Sequence, residues 1–106
     1  MNPTTQRRFV RVECDAEALV TLPGESHRGV CANLSVGGAF FRGSSLPAGA
    51  TVSITMSLAE SGPVMVVGEV RHSSPEGSGI RFTQLPPNAL TSIHGYVNAL
   101  ALRSAH

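Results

Sequence analysis

Lysine is absent from this 106-residue sequence, and all eight basic residues are arginine. A Walker A phosphate loop and a Schiff-base lysine both require a residue that the chain does not contain. Aspartate occurs only once, as Asp15, which leaves little for catalysis by paired carboxylates. With a net charge of +1, the chain lacks the strong positive field that binds long duplex DNA. These absences argue against several classes of enzyme and against a nucleic acid polymer as partner.

Long apolar runs are also missing. Charges interrupt the segment after Arg8, so it lacks the apolar core of a signal peptide, and no stretch approaches membrane-spanning length. We therefore expect a cytoplasmic protein without membrane insertion. Cys14 and Cys31 form no Cys-x-x-Cys pair and have no neighbouring histidine. They are predicted to be reduced packing residues, with a disulfide as the minor alternative.

No catalytic or metal-binding pattern is evident. Ser35 lies in a glycine-rich turn, but position 33 is asparagine, where a Gly-x-Ser-x-Gly nucleophile elbow requires glycine. The histidines do not have the spacing of metal ligands. We predict that the protein is not an enzyme and has no catalytic residue, metal or cofactor. The histidines are His27, His72, His94 and His106.

What the chain does contain is a series of short strand-like runs separated by turn signals. Thr51–Leu58 alternates apolar and hydroxyl-bearing residues, which is typical of a strand with one buried face. Gly68 lies inside another run and indicates a bulge or bend. Six such runs predict an antiparallel all-β sheet that is closed or nearly closed. The runs are 16–22, 28–34, 39–42, 51–58, 64–72 and 79–83.

The two ends of the chain differ from this central part. Residues 1–15 are polar and carry several arginines, and they are predicted to form a flexible arm before a barrel at residues 16–83. A helix is predicted over residues 87–103, after two prolines, because apolar side chains recur there every three or four residues. We expect a single domain spanning residues 1–106. The apolar helix positions are Leu90, Ile93, Val97 and Leu100.

Two groups of residues are candidates for ligand binding. Arg7, Arg8 and Arg11 fall within five positions, and a guanidinium group matches both a phosphate and the O6/N7 edge of guanine. Residues 33–38, Asn-Leu-Ser-Val-Gly-Gly, combine short polar side chains with glycines that permit positive φ and close approach to the backbone. Taken alone, each group is better explained without a ligand, as a solvated basic tail and as a tight turn.

Together, the two groups resemble the signature of the PilZ domain family. In that family, the motif Arg-x-x-x-Arg precedes the first strand. A second motif, (Asp/Asn)-x-Ser-x-x-Gly, follows the second strand. Arg7 and Arg11 match the first motif, and Arg8 is the additional arginine often found there. Gly-Ala-Phe-Phe at 38–41 and Gly-Ile-Arg-Phe at 79–82 are also similar to the family, so the resemblance covers nearly the whole chain. The second motif is matched by Asn33, Ser35 and Gly38.

The resemblance implies a six-stranded antiparallel β-barrel with a C-terminal helix. It also implies a bacterial receptor for the second messenger cyclic di-GMP, which would lie on the barrel between the N-terminal arm and the turn at 33–38. The arm would fold over the ligand and change the surface shown to a partner. Because no second domain is expected, the signal would pass to an unidentified downstream protein. The expected ligand-binding residues are Arg7, Arg8, Arg11, Asn33, Ser35, Gly37 and Gly38.

Two other functions are alternatives. An adaptor of the same fold that does not bind nucleotide would act through protein–protein interaction, and degenerate motifs would favour it. A barrel that binds single-stranded nucleic acid would carry interleaved basic and aromatic residues over its strands. Here the strands carry few of either. Because Phe40 and Phe41 are adjacent, at least one of them is expected to face the core.

Overall fold

The computed structural model describes residues 10–59 and 61–104. Within them, six β-strands are followed by one α-helix, as predicted from the sequence. Most of the strands extend slightly beyond the predicted runs. The strands are β1 (Val12–Leu22), β2 (Glu25–Ser35), β3 (Gly38–Arg42), β4 (Thr51–Leu58), β5 (Gly62–Ser74) and β6 (Gly77–Gln84), and the helix is α1 (Pro87–Ser104).

The strands form a closed antiparallel barrel in the order β1-β2-β3-β6-β5-β4, in which β4 pairs back onto β1. Four of the pairings join strands that follow each other in the chain, and β3 also pairs with β6. The turn between β1 and β2 contains Gly24 with a φ of 81°, a left-handed conformation that favours glycine. The prediction of an antiparallel barrel is confirmed, and the barrel is fully closed.

The first strand starts earlier than the sequence pattern predicted. β1 begins at Val12, so residues 12–15 belong to the barrel and not to an arm. The pairing with β2 shifts register between Glu13 and Ala16. Such a bulge interrupts the apolar–polar alternation by which a strand is recognised in a sequence, and this explains why the start was missed. Residues 1–9 of the predicted arm lie outside the described residues.

The core lies inside the barrel and is built from side chains at alternate strand positions. In β4 the predicted alternation is confirmed, because every second side chain from Val52 to Leu58 is buried. Phe41 of β3 is fully buried and the adjacent Phe40 is partly exposed, so one phenylalanine of the pair faces the core, as expected. Gly68 of β5 lies at a register shift with β6, which confirms the predicted irregularity.

The helix packs on the barrel through a stripe that differs in part from the predicted one. Ala89, Ile93 and Val97 are buried and recur every four residues, and Leu100 is partly buried beside them. Leu90 is 44% exposed, so its assignment to the buried stripe was wrong. Side chains four residues apart lie on one helix face, and this face begins one position earlier, at Ala89. The helix contacts β1, β2, β4 and β5.

No helix in residues 10–59 and 61–104 has the length and apolar character needed to cross a membrane.

Candidate ligand-binding cleft

An open cleft of about 560 Å³ lies on the outer surface of the barrel. Its lining comes from the residue before β1, the end of β2, the β2–β3 turn, and parts of β3, β5 and β6. These segments are far apart in the chain, and the closed strand order brings them together. The cleft includes all the described residues that the sequence motifs predicted as ligand-binding, namely Arg11, Asn33, Ser35, Gly37 and Gly38. Arg7 and Arg8 lie outside the described residues.

The two sequence motifs meet at the edge of this cleft. Nη1 of Arg11 donates a hydrogen bond to Oδ1 of Asn33, across 22 positions of the chain. The β1–β2 ladder produces this contact, because it pairs Glu13 with Asn33 and so places the residues before β1 beside the end of β2. Arg11 is exposed and Asn33 is partly exposed. Both polar groups are therefore open to a molecule that enters the cleft.

Ser35 has a different setting from Arg11 and Asn33. Its side chain is only 2% exposed. The hydroxyl accepts a hydrogen bond from the backbone N–H of Gly37 at 3.1 Å and donates one to the carbonyl oxygen of Gly38 at 3.5 Å. A serine that bonds to the backbone two and three residues ahead stabilises a turn. Ser35 thus shapes the β2–β3 turn, and its contact with a ligand stays a prediction.

The glycines of the turn serve close packing and not an unusual backbone conformation. Among the described glycines, positive φ occurs at other positions, so the turn does not use the positive φ that Gly37 and Gly38 permit. A Cβ at Gly38 would clash with the carbonyl oxygen of Ile80 on the paired strand β6. The carbonyl oxygen of Gly37 accepts a hydrogen bond of 2.9 Å from the backbone N–H of Phe82. These contacts hold the turn against β6.

An aromatic pair lies in the cleft beside the turn. Phe40 of β3 pairs with Gly79 of β6, and Gly79 pairs with His72 of β5. Because Gly79 has no side chain, the two rings approach each other across it, with centroids 6.3 Å apart and planes at 29°. A Cβ at Gly79 would clash with the His72 ring. Flat rings at an open surface are suited to stacking against a planar ligand such as a nucleobase.

Arginine gives the cleft its charge. Arg71 of β5 and Arg81 of β6 line it together with Arg11. Arg71 lies 3.4 Å from a carboxylate oxygen of Glu69, and both side chains are about half exposed, so this ion pair holds the guanidinium only weakly. Three guanidinium groups around one opening favour an anionic ligand, and phosphates above all.

Of the cleft residues that were not predicted from the sequence as ligand-binding, four carry a charged or aromatic side chain: Phe40, Arg71, His72 and Arg81. Arg81 stands within the Gly-Ile-Arg-Phe segment that is similar to the PilZ family, which was a usable signal. The other three lie on β3 and β5, which are not adjacent in the barrel, and only β6 between them brings them to one place. No group of three or more potential metal ligands occurs in the described part of the chain.

The model of the PilZ domain family matches residues 5–99 of this sequence. The match covers most of the chain, and the protein therefore belongs to the PilZ domain family. No functionally curated protein matches the chain significantly in a sequence comparison.

Solved structures show the same fold. The inhibitor of motility MotI/DgrA from Bacillus subtilis is 18% identical, with a TM-score of 0.82 over 95% of this chain and 54% of that protein. This chain therefore spans about half the length of MotI/DgrA. The PilZ domain of YcgR from Escherichia coli, solved with c-di-GMP, is 15% identical, with a TM-score of 0.74 over 93% of this chain and 94% of that one. PlzA from Borreliella burgdorferi, in complex with c-di-GMP, is 20% identical, with a TM-score of 0.67 over 88% of this chain and 41% of that protein.

Proposed function

We propose that this protein is a receptor for cyclic di-GMP. The dinucleotide would lie in the cleft, between the Arg-x-x-x-Arg segment at residues 7–11 and the turn at residues 33–38. The observation that carries the proposal is the hydrogen bond between Arg11 and Asn33, because it joins the two motifs at the edge of an arginine-lined cleft. Two proteins of the same fold, YcgR and PlzA, were solved with c-di-GMP.

The chemistry of the cleft fits the two kinds of group in this ligand. Cyclic di-GMP carries two phosphates and two guanines. Arginine forms forked hydrogen bonds to phosphate and to the O6/N7 edge of guanine, and Arg11, Arg71 and Arg81 all line the cleft. The rings of Phe40 and His72 offer a stacking surface for a base. Arg11 would exchange its exposed bond to the neutral amide of Asn33 for a bond to a charged phosphate, which is the stronger of the two.

In this proposal the protein acts by binding and not by catalysis. It is a bacterial, cytoplasmic effector, and the residue 7–11 segment closes over the ligand and alters the surface that a downstream protein contacts. Neither a nucleic acid polymer nor a membrane is required. The net charge of +1 agrees with a small dianionic ligand better than with a polyanion.

Isothermal titration of the full chain tests the proposal. Cyclic di-GMP should give saturable binding, and it should bind more tightly than cyclic di-AMP, GMP or GTP, because the arginines recognise guanine edges and phosphates together. Equal affinity for cyclic di-AMP would contradict guanine recognition. If cyclic di-GMP gave no saturable heat at high micromolar concentration, the nucleotide-independent adaptor would be the better explanation. Saturable binding of a single-stranded oligonucleotide alone would favour the nucleic-acid-binding alternative.

Hydrogen exchange gives a second, independent test. Adding cyclic di-GMP should protect the amides of residues 5–12, while the amides of the barrel strands change little, because the ladder is already complete without ligand. Protection that appeared only in α1 would place the ligand elsewhere on the molecule.

A further inference from the structure

The thiols of Cys14 and Cys31 lie side by side at the bulge of β1. Their Sγ atoms are 3.9 Å apart, although the residues are separated by 17 positions. Cys14 falls in the interval between Glu13 and Ala16 where the β1–β2 register shifts, and Cys31 pairs with Ala16 on the neighbouring strand. Both cysteines are free in the structure. Packing alone does not require two thiols at one point of a barrel wall.

The two thiols are unequal in exposure and in charge. Cys31 is fully buried, and its Sγ lies 3.1 Å from the carbonyl oxygen of Asn33. Cys14 is partly exposed and borders a second surface opening. The hydrogen bond with Cys31 lowers the pKa of the Cys14 thiol to about 7, whereas that same bond and burial raise the pKa of Cys31. Cys14 therefore has the character of an accessible nucleophile, and Cys31 that of a buried second thiol.

We propose that Cys14 and Cys31 form a dithiol site that reacts with hydroperoxides and closes to a reversible disulfide. The Cys14 thiolate attacks one peroxide oxygen, the O–O bond breaks, and the other oxygen leaves as water or an alcohol after taking a proton. Cys14 is then a sulfenic acid. The Cys31 sulfur attacks Sγ of Cys14, the S–O bond breaks, and the departing oxygen takes the Cys31 proton and leaves as water. In total, two thiols are oxidised and one peroxide is reduced.

The local geometry allows this closure. A disulfide requires an S–S distance of about 2.05 Å, so the two sulfur atoms must approach by about 2 Å. Cys14 lies in a bulge, where regular pairing is interrupted, so the backbone is held by fewer ladder hydrogen bonds than in a regular strand. Tyr96 of α1 is close enough to Cys14 for each group to affect the pKa of the other. The bond would therefore tie β1 to β2 and also alter a contact between the barrel and the helix. The proposal does not depend on cyclic di-GMP.

Peptide mapping of the wild-type protein tests the proposal directly. Trypsin cleaves after Arg11, Arg28 and Arg42, which places Cys14 in peptide 12–28 and Cys31 in peptide 29–42. After treatment with hydrogen peroxide, the intact monomer should lose two hydrogen atoms in mass. These two peptides should then migrate as one linked species, and dithiothreitol should separate them. A disulfide between two protein molecules, or oxygen added at Cys14 without a link to Cys31, would overturn the proposal.

Single substitutions separate the two roles. Cys31→Ser should stop the reaction at the sulfenic acid of Cys14, which a dimedone probe captures, whereas Cys14→Ser should leave the buried Cys31 unmodified. Dimedone capture at Cys31 in Cys14→Ser would overturn the assignment. Alkylation of wild-type protein by iodoacetamide tests the reactivity of Cys14 without a variant. Labelling of Cys14 should rise about tenfold between pH 6 and pH 8 and then level off, because its thiolate forms near pH 7. A rate that kept rising beyond pH 9 would contradict the role of Cys14.

Discussion

The cleft and the surface beneath α1 lie on the same barrel and are built in opposite ways. Under the helix, Ile93 and Val97 fill the space with apolar side chains that are at most 2% exposed. In the cleft, Gly38 and Gly79 remove side chains where neighbouring groups come close, and the groups left at the opening are polar, charged or aromatic. Packing under the helix stabilises the fold by excluding water, whereas the cleft leaves space that a ligand can occupy. Substitutions under the helix should therefore lower the free energy of unfolding, whereas substitutions in the cleft should mainly lower the affinity for ligand.

The largest effect is expected under the helix. Ile93→Ala should lower the free energy of unfolding by about 2–5 kcal/mol, because it leaves a cavity where a fully buried side chain packs against the barrel. Urea unfolding followed by circular dichroism measures this, since the chain has no tryptophan. Leu90→Ala on the exposed side of the same helix is the matched control and should change stability by less than about 0.5 kcal/mol. Equal losses in both variants would contradict the stripe defined by Ala89, Ile93 and Val97.

In the cleft, the largest effect is expected at the arginines. Arg11→Ala should weaken cyclic di-GMP binding by about 2–3 kcal/mol, roughly 30- to 150-fold, which is the value of a hydrogen bond to a charged group. Arg7→Ala should have a similar effect, and Arg11→Lys should restore affinity only in part, because ammonium lacks the planar fork. Titration calorimetry measures the affinity, and thermal melting should change little because Arg11 is exposed.

Arg103→Ala is the matched control for the arginine variants. It removes the same charge from the exposed end of α1 and should leave the affinity unchanged. If Arg103→Ala weakened binding as much as Arg11→Ala, net charge and not a specific contact would explain both results. Affinity at the wild-type level in both Arg7→Ala and Arg11→Ala would contradict the proposed ligand site.

A somewhat smaller effect is expected from the aromatic pair. Phe40→Ala should weaken cyclic di-GMP binding by about 1–3 kcal/mol, since stacking of a base on an aromatic ring contributes about that much. The control is Met65→Ala, which removes a large apolar side chain that is 59% exposed and does not line the cleft. Titration of both variants gives the comparison. If Phe40→Ala bound cyclic di-GMP as tightly as the wild-type protein, stacking of a base on Phe40 would be contradicted.

The smallest effect is expected at Ser35, which lines the cleft but has a buried side chain. Ser35→Ala should cost about 1 kcal/mol, the value of a neutral hydrogen bond. Because the hydroxyl is buried and bonds within the turn, we expect the loss to appear in the free energy of unfolding, with a comparable or smaller loss in affinity. Ser57→Ala, at an exposed position of β4, is the control and should be neutral. A loss in affinity with unchanged stability would show that the hydroxyl acts on the ligand.

Much of the barrel could be predicted because its strands alternate cleanly. Thr51–Leu58 has one buried and one more exposed face, and its bounds match the predicted strand. The start of β1 was missed because the bulge between Glu13 and Ala16 breaks that alternation. Leu90 was misplaced because three- and four-residue spacings both fit an apolar helix pattern, and only contact with the barrel selects the face that is buried.

The cleft was predictable where residues form a local motif, and not where strand pairing assembles it. Asn33 and Gly38 could be found because they stand in one turn, and Arg11 because it belongs to an arginine cluster. The stacking of Phe40 on His72 depends on Gly79 lying between them in the sheet. No sequence spacing encodes that arrangement. The sequence also could not show why residue 38 must be glycine, because the group that leaves no space for a side chain there is the carbonyl oxygen of Ile80 on another strand.

The closed strand order has a consequence for how the protein meets a partner. Each described strand has a neighbour on both sides, so no described strand offers a wholly unpaired edge as a template for another chain, and this disfavours addition of a partner strand as a mode of recognition. The same closure protects the molecule from edge-to-edge aggregation. In the proposed role, a downstream protein would recognise side chains on the barrel surface, the turns or α1, and its specificity would depend on groups that a bound ligand can cover or rearrange.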